Sequence, residues 1–217
     1  MKIIDITMTI RENMPVFKNK ADKKPLIWIA NGYQKGGIHE TRIDLDLHSG
    51  THLDAPMHVI TNGKSVDQID LSRLIAPCRL LDFTDVTDCI RREDLESRAF
   101  DASEFILLKT RNSFEERYVD DFIYLDPSGA EYLKERGVPG VGIDALRIER
   151  QIKRLETHRI LFESGIIVLE GLRLKDAAEG VYQLYALPMK IKGVEASPVR
   201  AILIDERWVE ALQSETE

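Results

Sequence analysis

Six short apolar runs recur along the last two thirds of the chain, and they limit the folds open to it. Each holds four to seven residues and is rich in β-branched or aromatic side chains, which is typical of β-strands. The runs occupy residues 78–83, 105–109, 140–143, 165–169, 181–187 and 199–204. Two further strands are predicted at 3–10 and 41–48, and the second alternates apolar and polar residues as a half-buried strand does.

Helical patterns are fewer and lie between the predicted strands. The clearest covers 128–136, where Asp126 suits the N-cap, Pro127 the first turn and Gly137 the C-terminal cap. Weaker helical patterns cover two other stretches, 91–98 and 145–163. Strands interleaved with short helices, without a linker or a repeat, predict one α/β domain over all 217 residues. Because strands outnumber helices, we expect a mixed β-sheet with short flanking helices.

The composition excludes several classes of protein. Hydrophobic residues make up 43% and charged residues 31% of the chain, proportions that exclude disorder and collagen. The net charge is −7 and no basic run is present, so nucleic acid is not an expected partner. There is neither a signal peptide's apolar core nor the ~18 apolar residues of a membrane span. Two cysteines without Cys-x-x-Cys spacing suit a reducing compartment, so we expect a cytoplasmic protein without membrane partners.

Three of the five histidines lie within eleven residues, at His48, His52 and His58. With Asp54, they are the only ionisable side chains of this segment. A straight strand would place residues 48 and 54 about 20 Å apart, too far for one metal ion. Gly50 and Pro56 oppose a helix and suit a tight turn. A metal site here therefore requires a strand that ends in a tight loop.

The chemistry of these side chains suits a divalent metal. Imidazole and carboxylate groups without thiolates favour Zn²⁺ or Mn²⁺ in an open, catalytic site. Such an ion lowers the pKa of a bound water, and a histidine that is not a ligand can move protons near neutral pH. The alternative is a polar loop whose histidines bond only to the backbone. The crowding of three histidines favours the metal site.

The whole segment 48–58 follows the pattern His-x-Gly-Thr-His-x-Asp-x-Pro-x-His. This pattern resembles the signature of the metal-dependent cyclase-like hydrolases, the family that includes bacterial kynurenine formamidase and isatin hydrolase. Four downstream stretches also resemble the family, at 141–144, 158–161, 170–172 and 198–201. The resemblance therefore covers essentially the whole chain, and it implies the family's cyclase-like fold of the swivelling β/α type.

The site that the resemblance implies holds two metal ions. Its ligands would be His48, His52, Asp54, His158 and Glu170. Asp54 would bridge two ions, one held by His48 and His52 and the other by His158 and Glu170. His58 would be the acid/base. Glu170 also closes the apolar run 166–169, where a carboxylate next to Gly171 can face a cleft. Taken alone, Glu170 is more often an ordinary strand-terminal charge, and His158 an ordinary helix-surface residue.

The activity that the resemblance implies is hydrolysis of a non-peptide amide, such as the N-formyl aryl amide N-formylkynurenine, by a metal-activated water. Zinc is the expected metal and manganese the alternative. Ring opening of a cyclic amide such as isatin is a second enzymatic interpretation. A metal-dependent small-molecule binding protein and a purely structural metal are the interpretations without catalysis. The family also implies a homodimer or homotetramer.

The polar stretch 11–25 carries two isolated apolar side chains, Val16 and Phe17. Kynurenine formamidases resemble one another in a Trp-Pro-Gly-Asp stretch whose tryptophan contacts the substrate, and here 17–20 reads Phe-Lys-Asn-Lys. Phe17 is therefore the candidate substrate-binding residue. The stretch is either a surface loop with Phe17 packed on the core, or a lid that can reach a neighbouring subunit. A second departure is 147–149, Arg-Ile-Glu in place of the family's frequent Ser-Val/Ile-Asp.

Overall fold

The computed structural model describes residues 2–150 and 153–205, and in them twelve β-strands and three α-helices are present. The strands are β1 (Ile3–Asp5), β2 (Leu26–Asn31), β3 (Glu40–Asp44), β4 (His52–Asp54), β5 (Ile75–Asp82), β6 (Cys89–Ile90), β7 (Phe105–Lys109), β8 (Tyr124–Leu125), β9 (Gly140–Ile143), β10 (Ile167–Glu170), β11 (Gly180–Pro188) and β12 (Ala196–Asp205). The helices are α1 (Arg92–Glu96), α2 (Pro127–Arg136) and α3 (Glu156–Glu163).

Eight of these strands form one mixed sheet, in the order β1-β12-β11-β5-β7-β9-β10-β4. The β5–β7, β7–β9 and β9–β10 pairs are parallel, and the outer pairs are antiparallel. β4 also pairs with β12, so the sheet curls round and closes. The pairs β2–β3 and β6–β8 form two small ribbons outside it. No helix within the described ranges is long and apolar enough to span a membrane.

The central strands are buried on both faces, which explains why their sequences are almost continuously apolar. Leu81, Ile106 and Leu108 belong to the core cluster that includes the helix residues. Their neighbours Leu80 and Leu107 belong to a second cluster, on the opposite face of the same strands. The two clusters follow the two-residue period of a strand.

The predicted α/β class, with a mixed sheet and short helices, is confirmed. Strands β7 and β9 have the predicted bounds, and the other four apolar runs form strands whose ends differ by at most three residues. Helix α2 begins one residue before the predicted start. The carboxylate of Asp126 accepts a hydrogen bond from the Ser128 backbone N–H at 3.0 Å, and Gly137 ends the helix with a φ of 72°.

Three predicted bounds are wrong. The strand at 3–10 ends at Asp5, because the Thr7 hydroxyl takes over the hydrogen bonding to the backbone of Ala201. Within the described part of 145–163, α3 is the only helix, because the Ile148 N–H donates to the Glu170 carboxylate at 2.6 Å instead of to a helical carbonyl. The helix predicted at 91–98 is shorter in the structure, where α1 covers Arg92–Glu96.

The prediction of a half-buried strand at 41–48 is also wrong. The strand is β3, and it is exposed along its whole length because it belongs to a two-stranded ribbon outside the main sheet. The chain leaves the extended conformation early. A carboxylate oxygen of Asp46 accepts a hydrogen bond from the His48 backbone N–H at 2.9 Å, and this local bond turns the chain.

Candidate metal centre

Strand pairing brings the first three side chains of the centre together. The β4–β10 register places His52 directly opposite Glu170. His52 and Asp54 are two residues apart on β4 and therefore share a face. All three are at least 98% buried. Nε2 of His52 lies 3.4 Å from Oδ1 of Asp54 and 3.3 Å from Oε2 of Glu170.

His158 reaches the same point from the first turn of α3. It is fully buried, so the interpretation of His158 as a helix-surface residue is wrong. Its Nε2 lies 3.4 Å from Oδ2 of Asp54 and 3.3 Å from Oε1 of Glu170. Each of the two carboxylates therefore faces both His52 and His158.

His48 comes from the turn that precedes β4. A turn in segment 48–58 was expected, and it lies between Asp46 and Thr51, with Gly50 at a φ of 68°. Nδ1 of His48 lies 2.9 Å from Oδ1 of Asp54, and its Nε2 lies 3.4 Å from a carboxylate oxygen of Glu195. The His48 side chain keeps 22% of its surface exposed, so it stands at the boundary between the buried centre and solvent.

The residues present fit a divalent metal. Nε2 of His52, Nε2 of His158 and both carboxylate oxygens of Asp54 are buried without a hydrogen-bond partner in the described part of the chain. Ligand atoms about 2.1 Å from a shared ion lie about 3.4 Å from one another in a tetrahedral arrangement. The four distances of 3.3–3.4 Å around His52 and His158 match this value, although the predicted ligand sets assign these two histidines to different ions.

A second group of donor atoms adjoins the first. The donors of His48, Asp54 and His58 lie within 4.8 Å of one another, and so do those of His52, Asp54 and Glu170. Asp54 belongs to both groups. The two groups differ from the predicted ligand sets, because His58 stands with His48 and His52 stands with Glu170.

The ring orientations of both buried histidines are held by hydrogen bonds at Nδ1. In His52, Nδ1 donates to the Gly50 carbonyl oxygen at 2.9 Å. In His158, Nδ1 is bonded to the carboxylate of Glu149. Because both partners are acceptors, Nδ1 carries the proton and Nε2 is the atom presented to the centre.

The pKa values report an excess of negative charge at the centre. Burial alone lowers the pKa of His52, but the carboxylates of Asp54 and Glu170 outweigh it and raise that pKa to about 10. Burial opposes ionisation of Asp54, yet the facing histidines hold its pKa well below the usual range. The centre thus stabilises a bound cation. A proton and a metal ion compete for the same Nε2 lone pairs.

His58 lies beside this centre, in the one-turn 3₁₀ helix Pro56–His58. Its ring centre is 4.5 Å from that of His48 and 5.5 Å from that of His158. Burial lowers the pKa of His58, and the positive charges of the same two histidines lower it further, against the opposing effect of Asp54. The structure therefore brings all five predicted ligands and the predicted acid/base into one cluster.

A cavity of about 240 Å³ leads to the cluster. His48, His58 and Glu170 line it, together with Phe17 from the stretch 11–25. Phe17 is half-buried and packs edge-on against Tyr118, which borders the core, whereas Val16 is the residue that is fully packed in the interior.

Comparison with known proteins identifies the family. A family model described as putative cyclase matches residues 4–150. The chain belongs to this cyclase family. The kynurenine formamidase of Salinibacter ruber (strain DSM 13855 / M31), a curated relative, is 30% identical over 208 residues, which cover 94% of this chain and 98% of the relative.

Two solved structures extend the comparison of this cyclase chain. A structure described as a predicted metal-dependent hydrolase from Bacillus stearothermophilus is 43% identical, with a TM-score of 0.85, and the match covers 93% of this chain and 97% of that one. Isatin hydrolase A from Ralstonia solanacearum is 21% identical, with a TM-score of 0.82 and coverage of 94% and 92%. At that identity, the second match shows a shared fold only.

Sequence reasoning missed two carboxylates of the cyclase site. Glu149 holds His158, and Glu195 faces His48. Glu195 has no distinguishing signal, because it is a single acidic residue in a stretch of mixed polar and apolar residues. Glu149 did have one, since it occupies the acidic position of the family's Ser-Val/Ile-Asp stretch.

Proposed function

We propose that the chain is a metal-dependent hydrolase of a non-peptide amide, with an N-formyl aryl amide such as N-formylkynurenine as its substrate. The observation that carries the proposal is the convergence of the unpaired Nε2 atoms of His52 and His158 on two buried carboxylates. Membership of the cyclase family supports the reaction class. The kynurenine formamidase of Salinibacter ruber supports the amide as substrate.

In this proposal the centre would hold two divalent ions. His48, His52 and Asp54 would hold the first. Asp54, His158 and Glu170 would hold the second. Zinc is the expected metal and manganese the alternative, because imidazole and carboxylate serve both. When bound, such an ion polarises a carbonyl oxygen and lowers the pKa of water.

The remaining chemistry belongs to the chain's own side chains. Hydrolysis joins a water oxygen to the carbonyl carbon and breaks the carbon–nitrogen bond, releasing formate and an amine. The leaving nitrogen must gain a proton, and His58 is the residue proposed to deliver it, because it lines the cavity beside the centre. Phe17 lines the same cavity and offers an aromatic face to the aryl group.

The proposal is tested with protein stripped of metal and reconstituted separately with Zn²⁺ and Mn²⁺. We expect at least one reconstituted form to hydrolyse N-formylkynurenine, and the stripped protein to be inactive. Isatin, assayed in parallel, tests the ring-opening alternative, which has the support of a shared fold. Tight ligand binding without hydrolysis of any amide or lactone in a broad panel would contradict the proposal and favour a binding protein.

Three histidine variants separate the proposed roles. His52→Ala should lose bound metal in elemental analysis, whereas His58→Ala should keep its metal and lose activity by about 100- to 10,000-fold. His39→Ala is the matched control, because His39 is exposed and its ring packs 5.2 Å from Tyr33. Stoichiometric metal in His52→Ala, or normal turnover in His58→Ala, would refute the role assigned to that residue.

We also propose that two copies of the chain associate through the β2–β3 ribbon. The register puts Ile27, Ile29 and Ile43 on one face of this ribbon. Ile29 is 63% and Ile43 51% exposed. An apolar face of this kind on an isolated ribbon favours coverage by another surface, and a homodimer supplies one; a homotetramer is the alternative. A cytoplasmic location is proposed from the low cysteine content.

A further inference from the structure

Arg147 lies in the loop after β9, and it lines the same cavity as His58 and Glu170. Its guanidinium carbon is 4.9 Å from the centre of the Phe17 ring, within the range of a cation–π contact. The Phe17 ring is in turn held edge-on by Tyr118, with ring centres 5.6 Å apart. Packing therefore holds the guanidinium at the wall of the cavity.

Arg147 makes no ion pair with a described residue. Within residues 2–150 and 153–205, no carboxylate forms an ion pair with Arg147 and no oxygen accepts a hydrogen bond from it; the guanidinium contacts the Phe17 ring instead. Lys23, which lines the same cavity, differs because its Nζ is 2.8 Å from a carboxylate oxygen of Asp46. Lys20 adds a further positive charge to the lining. Outside the metal centre, the cavity lining is therefore cationic.

A guanidinium stacked on an aromatic ring keeps its N–H donors at its edge, in a fork that matches the two oxygens of a carboxylate. We propose that Arg147 binds a carboxylate group of the substrate, so that the substrates are aryl amides that carry a negative charge. The inference rests on the proposed amide hydrolysis at the neighbouring centre. Arg147 is then a specificity-determining residue and takes no part in bond breaking.

Two substrates that differ only in the carboxylate test this inference. 2-Formamidobenzoate and formanilide contain the same formyl aryl amide, and only the first is an anion. We expect Arg147→Met in the zinc-loaded protein to raise KM for 2-formamidobenzoate by about 10- to 100-fold, the loss typical of one charged hydrogen-bonded pair. kcat for this substrate should change by less than about threefold, and both constants for formanilide should be unchanged.

Lys18→Met is the matched control. Lys18 is also cationic and lies 5.6 Å from the same Phe17 ring, but it is exposed and does not line the cavity. We expect it to leave the kinetics of both substrates unchanged. Equal losses on both substrates in Arg147→Met would mean that the arginine only supports Phe17, and no loss on either would also overturn the inference.

A binding measurement tests the carboxylate site if the proposed function itself fails. If the wild-type protein hydrolyses neither amide, calorimetric binding of benzoate and benzamide to the zinc-loaded protein replaces turnover. Weaker benzoate binding by Arg147→Met, with benzamide binding unchanged, would support the carboxylate site without amide hydrolysis. Benzoate that coordinates the metal would do so equally in the wild-type protein and in Arg147→Met. Equal benzoate affinities of these two proteins would therefore overturn the inference.

Discussion

The carboxylate of Glu149 is hydrogen-bonded to Nδ1 of His158. The same carboxylate accepts hydrogen bonds from the backbone N–H groups of Thr157 and His158, each at 3.3 Å. One buried side chain therefore sets both the start of α3 and the direction of the His158 ring. Partners of this kind orient metal-binding histidines and raise their basicity.

Replacing Glu149 by Gln should weaken metal binding by about 10- to 100-fold, because the neutral amide no longer supports the His158 imidazole electrostatically. Competition with a chelator measures the change in affinity. Glu163→Gln is the control, since Glu163 is an exposed acid at the other end of α3. Thermal unfolding in excess chelator separates loss of the fold from loss of the metal. Equal metal affinities in the two variants would show that Glu149 has only a structural role.

A second relationship at the centre concerns two glycines. Gly171 has a φ of 67°, and a Cβ atom placed there would lie 2.1 Å from the Gly50 carbonyl oxygen. This contact joins the end of β10, which carries Glu170, to the turn that orients His52. The Thr51 hydroxyl reinforces it by donating to the Gly171 carbonyl oxygen at 2.6 Å.

Gly171→Ala should therefore disrupt the metal centre. The left-handed backbone alone costs roughly 1–2 kcal/mol for Ala, and the clash adds roughly 1–3 kcal/mol. Gly137→Ala is the matched control, because Gly137 has a φ of 72° and a Cβ atom placed there would have no atom of the described residues within 4 Å. We expect denaturant unfolding to show the larger loss in Gly171→Ala, and elemental analysis to show reduced metal only there. Similar values for the two variants would argue against the close approach.

The sequence predicted the centre better than the segments around it. Strands β7 and β9 were predicted at their observed bounds because both faces are buried, so the apolar run and the strand coincide. The ribbon strand β3 was misjudged, because alternation of apolar and polar residues reports a strand but not what covers its apolar face. The short strand β4 has too few residues for any period, and its pairing with β10 depends on contacts distant in sequence.

The burial of Glu149 was harder to predict, although its place in the family's Ser-Val/Ile-Asp stretch was a signal. Its neighbours Arg147 and Arg150 make the stretch look like a solvated surface. The reason for its burial is the His158 side chain, which approaches from α3 and depends on the tertiary fold. Motif spacing therefore predicted which residues converge at the centre, whereas the groups that hold them required the structure.

Asp144, at the end of β9, is a hub of buried hydrogen bonds. It accepts from the backbone N–H and hydroxyl of Thr110, at 2.7 and 2.8 Å, and from the same two groups of Ser113, at 3.1 and 2.7 Å. The Asn112 side-chain amide donates a fifth bond at 3.2 Å. These bonds join the loop after β7 to the end of β9.

Asp144→Asn should destabilise the fold by about 2–4 kcal/mol at pH 8, because the new amide N–H₂ faces donors and a buried charged acceptor is lost. Urea unfolding measures the difference. Asp101→Asn is the control: Asp101 is exposed, and within the described residues its side chain accepts only from the backbone N–H and hydroxyl of Ser103. A loss below about 1 kcal/mol in Asp144→Asn would mean that the loop rearranges to satisfy the amide.

The proposed dimer contact makes a distinct prediction about the β2–β3 ribbon. Ile43→Glu introduces a charge next to Ile27, its partner across the ribbon, and burying an unpaired carboxylate in an apolar interface is costly. We expect the variant to elute and sediment as a monomer at concentrations where the wild-type chain is a dimer. Metal content should be unchanged, because the ribbon contributes no residue to the centre.

Leu71→Glu is the matched control for this prediction. Leu71 is 53% exposed, much like Ile43 at 51%, but it lies in the one-turn 3₁₀ helix Leu71–Leu74, outside the ribbon. A general effect of added charge on association would act on both variants, whereas a contact through the ribbon would respond only to Ile43→Glu. Sedimentation velocity of the two variants at equal concentration therefore decides the site of contact, and a dimer that survives Ile43→Glu would place the interface elsewhere on the chain.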